Sequence, residues 1–121
     1  MAPRFAPKEP ITLDPPKNTL FTLEELSKYD GVSNPLIYVA VNGTVFDVSR
    51  QAKVYGPGGS YNVFAGKDGS RGLAKSSLKL EEAVADITGL GEGELTVLND
   101  WFSYFSQRYN VVGKVVTTSK I

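Results

Sequence analysis

Two β-rich runs meet at Asn42-Gly43 in the segment L-I-Y-V-A-V-N-G-T-V-F-D-V. Asn-Gly between such runs predicts a two-residue hairpin turn, because both positions accept the positive φ that a type I′ turn demands. Ile37, Val39 and Val41 share one face of the first run; in the second, Val45 and Asp47 alternate with Phe46 and Val48. One face of the hairpin is expected to pack on the core. Upstream, F-T-L-E-E-L predicts a helix start. Thr22 as N-cap and Glu25 at N3 make a capping box, and Phe21 and Leu26 fall at the positions of a hydrophobic staple. That helix is predicted over Leu23 to Tyr29 and is ended by Gly31. Downstream, Leu95, Leu98, Trp101, Phe102 and Phe105 recur at three- and four-residue spacing, the apolar stripe of the longest helix. D-G-S-R-G-L-A-K-S-S reads as a short helix with Asp68 near its start, since aspartate suits an N-cap and its carboxylate can take the free N–H groups there. L-K-L-E-E-A-V-A-D-I-T-G reads as another, ending near Gly89, and V-V-G-K-V-V as a last strand. This order predicts an α+β fold with helices set at one end of a small sheet. The pattern does not order the strands beyond the hairpin.

Composition narrows the picture. A chain of 121 residues suits one domain. Five of the seven prolines fall in residues 1–18 and predict an extended arm, with residues 1–10 as a tail and Ile11 to Leu13 as the part able to dock. The domain is expected over residues 19–117, with 118–121 as a short tail. Zero net charge offers no footprint for nucleic acid. No apolar run of about 18 residues is present, so no transmembrane segment is predicted, and the N-terminus lacks the apolar core of a signal peptide. The absence of cysteine excludes disulfides, thiolate metal sites and thiol catalysis; the absence of histidine removes the commonest general base and metal ligand. A serine nucleophile would need a lysine base, and no such pattern stands out. The acid pairs Glu24-Glu25 and Glu81-Glu82 point different ways on a helix and read as solvated faces.

The chemically distinctive stretch is Val54 to Lys75, V-Y-G-P-G-G-S-Y-N-V-F-A-G-K-D-G-S-R-G-L-A-K, which holds half of the twelve glycines together with Tyr55, Tyr61 and Phe64. Glycines permit close backbone approach, and tyrosines add a polar tip to an apolar ring. The stretch matches neither phosphate-binding glycine motif and lacks the strand–loop–helix frame that they need. Of the usual protein ligands to haem iron, the predicted domain contains only tyrosine, since the single methionine is Met1. A ferric ion can displace a phenol's proton, whose pKa is about 10, and take the phenolate. Composition alone does not choose haem: any one tyrosine here is as readily a half-buried aromatic with its hydroxyl in water.

The motifs choose. F-T-L-E-E-L…Y-D-G, I-Y-V-A-V-N-G-T-V-F-D-V, Y-G-P-G-G-S-Y-N-V-F-A-G-K-D-G-S-R-G-L-A and L-N-D-W…F…R-Y-N-V-V-G-K-V resemble the membrane-associated progesterone receptor family over about residues 20–116. The resemblance implies a cytochrome b5-like fold and haem b held, as ferric iron, by a single axial tyrosine that matches Tyr61. It implies a cofactor-binding set of Tyr61, Tyr55, Phe64, Asp68, Arg108 and Tyr109. The family's usual lysine is arginine at position 108, which keeps the charge and alters the donor geometry. By the same resemblance the chain is a non-enzymatic partner or regulator of cytochrome P-450-type monooxygenases of sterol metabolism. Its expected place is cytoplasmic and peripheral to the endoplasmic reticulum. The haem face opposite Tyr61 would lack a protein ligand, so a haem-stacked homodimer is expected. The alternatives are a sterol or other small-ligand carrier without haem, an interaction scaffold, and an enzyme in its own right.

Overall fold

A computed structural model describes residues 13–116. Expectations that fall on residues 1–12, including Ile11, and on the tail 118–121 lie outside the described residues. Five strands form one mixed sheet: β1 (Thr19–Phe21), β2 (Tyr38–Val41), β3 (Thr44–Asp47), β4 (Lys67–Asp68) and β5 (Asn110–Val115), in the order β1-β5-β3-β2-β4. β1 pairs parallel with β5 and β4 parallel with β2, while β2–β3 and β3–β5 are antiparallel. The fold is α+β, as the pattern predicts.

The hairpin turns where expected. Asn42 and Gly43 have φ of 50° and 82°, the pair of positive values that a type I′ turn needs. Val39 faces Phe46 across the pair. With Ile37, Val41 and Val48 they join the larger core cluster. The opposite face is also covered, which corrects the one-sided expectation: Ala40 and Val45 pack with Phe21 and Leu26. The reason is aromatic cover, since Tyr29 stacks on Tyr38 at 4.3 Å between centroids and Phe21 meets both rings edge-on.

Helix α1 is shorter than predicted, Leu23–Leu26, although its capping box forms: Thr22 N–H donates to Glu25 Oε1 at 2.9 Å, and Glu25 N–H to Thr22 Oγ1 at 3.1 Å. It stops because the Tyr29 carbonyl accepts the N–H of Tyr38 instead, which feeds the chain toward the sheet. The helix expected over Leu78–Gly89 is only a 3-10 turn at Leu80–Glu82. Its backbone serves a neighbour: Arg71 N–H donates to the Val84 carbonyl, and the Arg71 guanidinium to the Asp86 and Thr88 carbonyls. The short helix after Asp68 does form, as α3 (Ser70–Ala74), behind α2 (Ala52–Tyr55) in chain order.

The longest helix, α4 (Glu92–Arg108), buries Leu98, Trp101 and Phe105 of its predicted stripe and leaves Leu95 and Phe102 partly exposed. Of the proline-rich arm, residues 13–18 lie against β5: Lys17 N–H donates to the Val111 carbonyl, and Asp14 N–H to Asn110 Oδ1 at 2.8 Å.

Candidate functional site

Between α2, the loop that follows it and α4 lies a cleft of about 280 Å³, partly open to solvent. Its walls are Tyr55, Tyr61, Trp101, Tyr104 and Tyr109, with Val54 and Gln51 at the edge. Local rules place each ring. α2 ends on Tyr55, which is 2 % exposed and packs edge-on against Phe105. The chain then doubles back so that Tyr61 N–H donates to the Val54 carbonyl at 2.9 Å. That return requires glycine at position 59, where a Cβ would collide with the Val54 carbonyl oxygen. Asn62 holds the return, its Nδ2 donating to the Tyr55 carbonyl at 2.9 Å. Tyr61 therefore stands partly buried among Tyr55, Phe64 and Trp101, with centroids 6.0–6.1 Å away.

Of the six site residues expected from the sequence, Tyr55, Tyr61 and Tyr109 come together on the cleft. Arg108 stands at its border, its guanidinium 4.5 Å over the Tyr104 ring. Phe64 is fully buried behind Tyr61, wedged where Cβ atoms at Gly69 and Gly72 would otherwise sit, and supports the wall without lining it. Asp68 is placed elsewhere. It belongs to β4, is 3 % exposed and is not the N-cap of α3, which is Gly69. Its Oδ1 accepts from the N–H and Oγ of Ser70, and its Oδ2 from the N–H of Gly43 at 3.1 Å. Ser70 Oγ in turn accepts from Asn42 N–H, so this acid ties the hairpin turn to α3.

Burial pushes the Asp68 carboxyl above its ordinary range, against the hydrogen bonds from Ser70 and Gly43. A raised folded-state value means that the folded protein holds this proton more tightly than the unfolded chain does. The group's stabilisation is therefore full below the unfolded value, about pH 4, and is lost as pH rises through the folded value. Urea unfolding of the wild type and Asp68→Asn between about pH 4 and pH 7 should show the difference moving against the wild type as pH rises. A difference that stays constant across that range would overturn this reading.

The phenols form one electrostatic cluster. Burial raises Tyr55 well above the usual phenol range, and Tyr109, Tyr104 and Tyr61 add to the rise. Burial also pushes Tyr109 up to about 12; Tyr104 raises it further, while the cations Arg108 and Arg50 oppose. Both stay neutral hydrogen-bond donors at physiological pH. Trp101 Nε1 and Arg108 Nε are buried without a hydrogen-bond partner among the described residues. No group of three or more acids is placed to hold a metal ion among those residues.

The pattern reading missed Trp101 and Tyr104 as cleft residues. The available signal was a row on α4 that branches from the core stripe at Trp101 and runs on through Tyr104 and Arg108 at three- and four-residue spacing.

Residues 22–115 match the family described as cytochrome b5-like haem/steroid-binding domain. The cytochrome P450 regulator dap1 of Schizosaccharomyces pombe is 40 % identical over 92 % of this chain and 68 % of its own. Human membrane-associated progesterone receptor component 2 is 42 % identical over 79 % of this chain, which spans 44 % of that relative. A solved hypothetical protein of Arabidopsis thaliana, described as having a cytochrome b5 like fold, superposes with a TM-score of 0.77 at 46 % identity, over 83 % of this chain and 93 % of its own. No helix of the described residues is long and apolar enough to cross a membrane. With the aromatic cleft, the sheet order and the match over most of its length in agreement, the chain belongs to the cytochrome b5-like haem/steroid-binding domain family.

Proposed function

We propose that this chain is a haem-binding module in which Tyr61 is the single axial ligand to ferric haem b. The observation that carries the reading is the cleft: five aromatic rings wall it, and its phenols are the only groups there of a type that ligates haem iron. The donor set fits such a ligand. Tyr61 reaches the cleft from a loop braced on both sides, Tyr55 is a neutral phenol beside it, and Trp101 brings an N–H that lacks an acceptor among the described residues. Tyr61 is assigned to the iron, Tyr55 and Tyr109 to donating hydrogen bonds around it, and Phe64 to holding Tyr61 forward. Asp68 acts from a distance, by fixing the loop between the hairpin and α3. Bound there, ferric haem would supply a Lewis-acidic iron with an anionic oxygen ligand, a low-potential centre unlike an ordinary electron carrier.

At about 280 Å³ the cleft falls just below the ~300–1,000 Å³ of pockets that enclose a drug-sized ligand. A macrocycle would sit with one face outward, and two such faces would stack into a haem-linked dimer. The role extended here from the S. pombe relative is regulation of a cytochrome P450; its setting in sterol metabolism, at the surface of the endoplasmic reticulum, is what the resemblance of the sequence motifs implies. The chain acts in this reading by binding and not by catalysis.

Titrating haemin into the purified chain tests the proposal. A saturable Soret band with phenolate-to-iron charge transfer is expected, and the sedimenting mass should double on loading. A second reading has a neutral steroid in the same cleft without haem, favoured by the uncharged aromatic walls and the family's description. Steroid uptake with no haemin uptake would establish it in place of the first.

A further inference from the structure

Asn42 is the only one of six asparagines that glycine follows. In such a pair the glycine nitrogen can attack the side-chain amide of the asparagine, because no Cβ crowds the approach. A bond forms from Gly43 N to Asn42 Cγ, the bond from Cγ to Nδ2 breaks, and the displaced amide takes the Gly43 proton and leaves as ammonia. Water then opens the five-membered imide at either carbonyl. The product is aspartate or, with one more atom in the main chain, isoaspartate. The steps need only the chain and solvent water.

The structure exposes this pair and restrains it at once. Asn42 is exposed at the tip of the β2–β3 hairpin, and a Cβ at Gly43 would meet nothing within 4 Å, so water has free access. Both N–H groups of the turn are held from below. Gly43 N–H, on the attacking nitrogen, donates to Asp68 Oδ2 at 3.1 Å, and Asn42 N–H to Ser70 Oγ at 2.7 Å. The two acceptors are bonded to each other, since Ser70 donates to Asp68 Oδ1 through its N–H at 3.0 Å and through its Oγ. They are 3 % and 0 % exposed, a fixed floor under a wet turn. The Gly43 nitrogen must leave that carboxylate before its lone pair can turn on Cγ, and the turn must yield before the side chain can swing over it.

We propose that Asn42 is a site of spontaneous deamidation whose rate is set by the Asp68–Ser70 pair, so that the hairpin turn is a slow covalent timer on the domain. This stands apart from the choice between haem and steroid. Isoaspartate lengthens the turn by one atom and cannot keep both N–H groups on their acceptors. The tie from the hairpin to α3 is then lost. Gly69 and Gly72, at and within α3, lie directly against the Phe64 ring, which in turn stands behind Tyr61. A change at the turn is thereby passed to the wall of the cleft.

The experiment incubates the purified chain in neutral buffer. Peptide mass mapping follows the replacement of NH2 by OH at each asparagine, and ion exchange separates the isoaspartate form. Asp68→Ala, Ser70→Ala and Leu98→Ala are compared, each shown by circular dichroism to be folded at the incubation temperature, together with an unfolded peptide of residues 38–47. In the wild type Asn42 is expected to react faster than the other five asparagines, and about tenfold more slowly than in the peptide. Asp68→Ala should speed the reaction about tenfold and Ser70→Ala about threefold. Leu98→Ala thins the core and leaves both ties in place, so it should leave the rate alone. The isoaspartate form should unfold at a lower temperature than the unreacted protein. A wild type in which Asn42 reacts no faster than the other asparagines would overturn the site. Asp68→Ala at the wild-type rate would overturn control by the pair. So would Leu98→Ala accelerated as much as Asp68→Ala, since the rate would then follow general loosening. An isoaspartate form as stable as the unreacted protein would overturn the timer.

Discussion

Tyr61→Phe is expected to weaken ferric haem binding by more than about 100-fold while the fold and its unfolding midpoint stay nearly unchanged. Loss of a group that only orients a metal ligand costs about 10–100-fold, and loss of the ligand itself costs more. Phenylalanine keeps the ring that meets Tyr55, Phe64 and Trp101, so the aromatic wall survives and only the oxygen is removed. Tyr55→Phe is the informative companion. Tyr55 is 2 % exposed and raised well above the usual phenol range by burial, so the proposed haem site assigns it the part of a neutral donor and not that of the phenolate. That variant should keep the charge-transfer band at about 10–100-fold lower affinity. Haemin titrations of both, with thermal unfolding in parallel, make the comparison. A Tyr61→Phe protein that binds haemin with wild-type affinity and spectrum would remove tyrosine ligation at this position.

Phe105→Ala should be the most damaging single truncation, costing about 3–5 kcal/mol. Phe105 is fully buried, and its ring meets those of Phe46, Tyr55, Trp101, Tyr104 and Tyr109 at 5.2–6.2 Å between centroids. Four of those five partners are cleft walls. The truncation therefore leaves a void directly behind the site, where tightly packed surroundings relax only in part. Against a typical total of 5–15 kcal/mol the loss is large, and the midpoint should fall on the order of 15 °C. Leu80→Ala is the control: Leu80 is 65 % exposed, and its loss should stay within about 0.5 kcal/mol. A Phe105→Ala protein as stable as that control would refute the packing described here.

Local signals were read well where a few neighbouring residues satisfy one another. Thr22 and Glu25 cap each other within one turn, and Asn42-Gly43 needs only its own two dihedrals. The readings failed where a distant segment competed for the backbone. Tyr29 leaves α1 because its carbonyl accepts from Tyr38. The segment after Leu78 stays largely non-helical because Arg71 takes its carbonyls. Asp68 does take a free N–H at the start of α3, that of Ser70, but one residue ahead of the cap position and as a buried tie to the hairpin, which its own neighbours in sequence do not announce. The parallel pairing of β1 with β5 joins the two ends of the domain and leaves no trace in either strand's own pattern.

The site divides in the same way. The amino-acid order alone left tyrosine as the one usual ligand of haem iron in the domain, because a chain without histidine or cysteine cannot offer those ligands in any fold. It also marked Tyr55 and Tyr61 as lying in a stretch dense in glycine. Which phenols share one cleft was decided only when α2 and α4 packed together. A helix side chain becomes a wall or a surface according to what stands opposite it, and Tyr104 and Trp101 took their places from Tyr55 and Tyr61 across the gap.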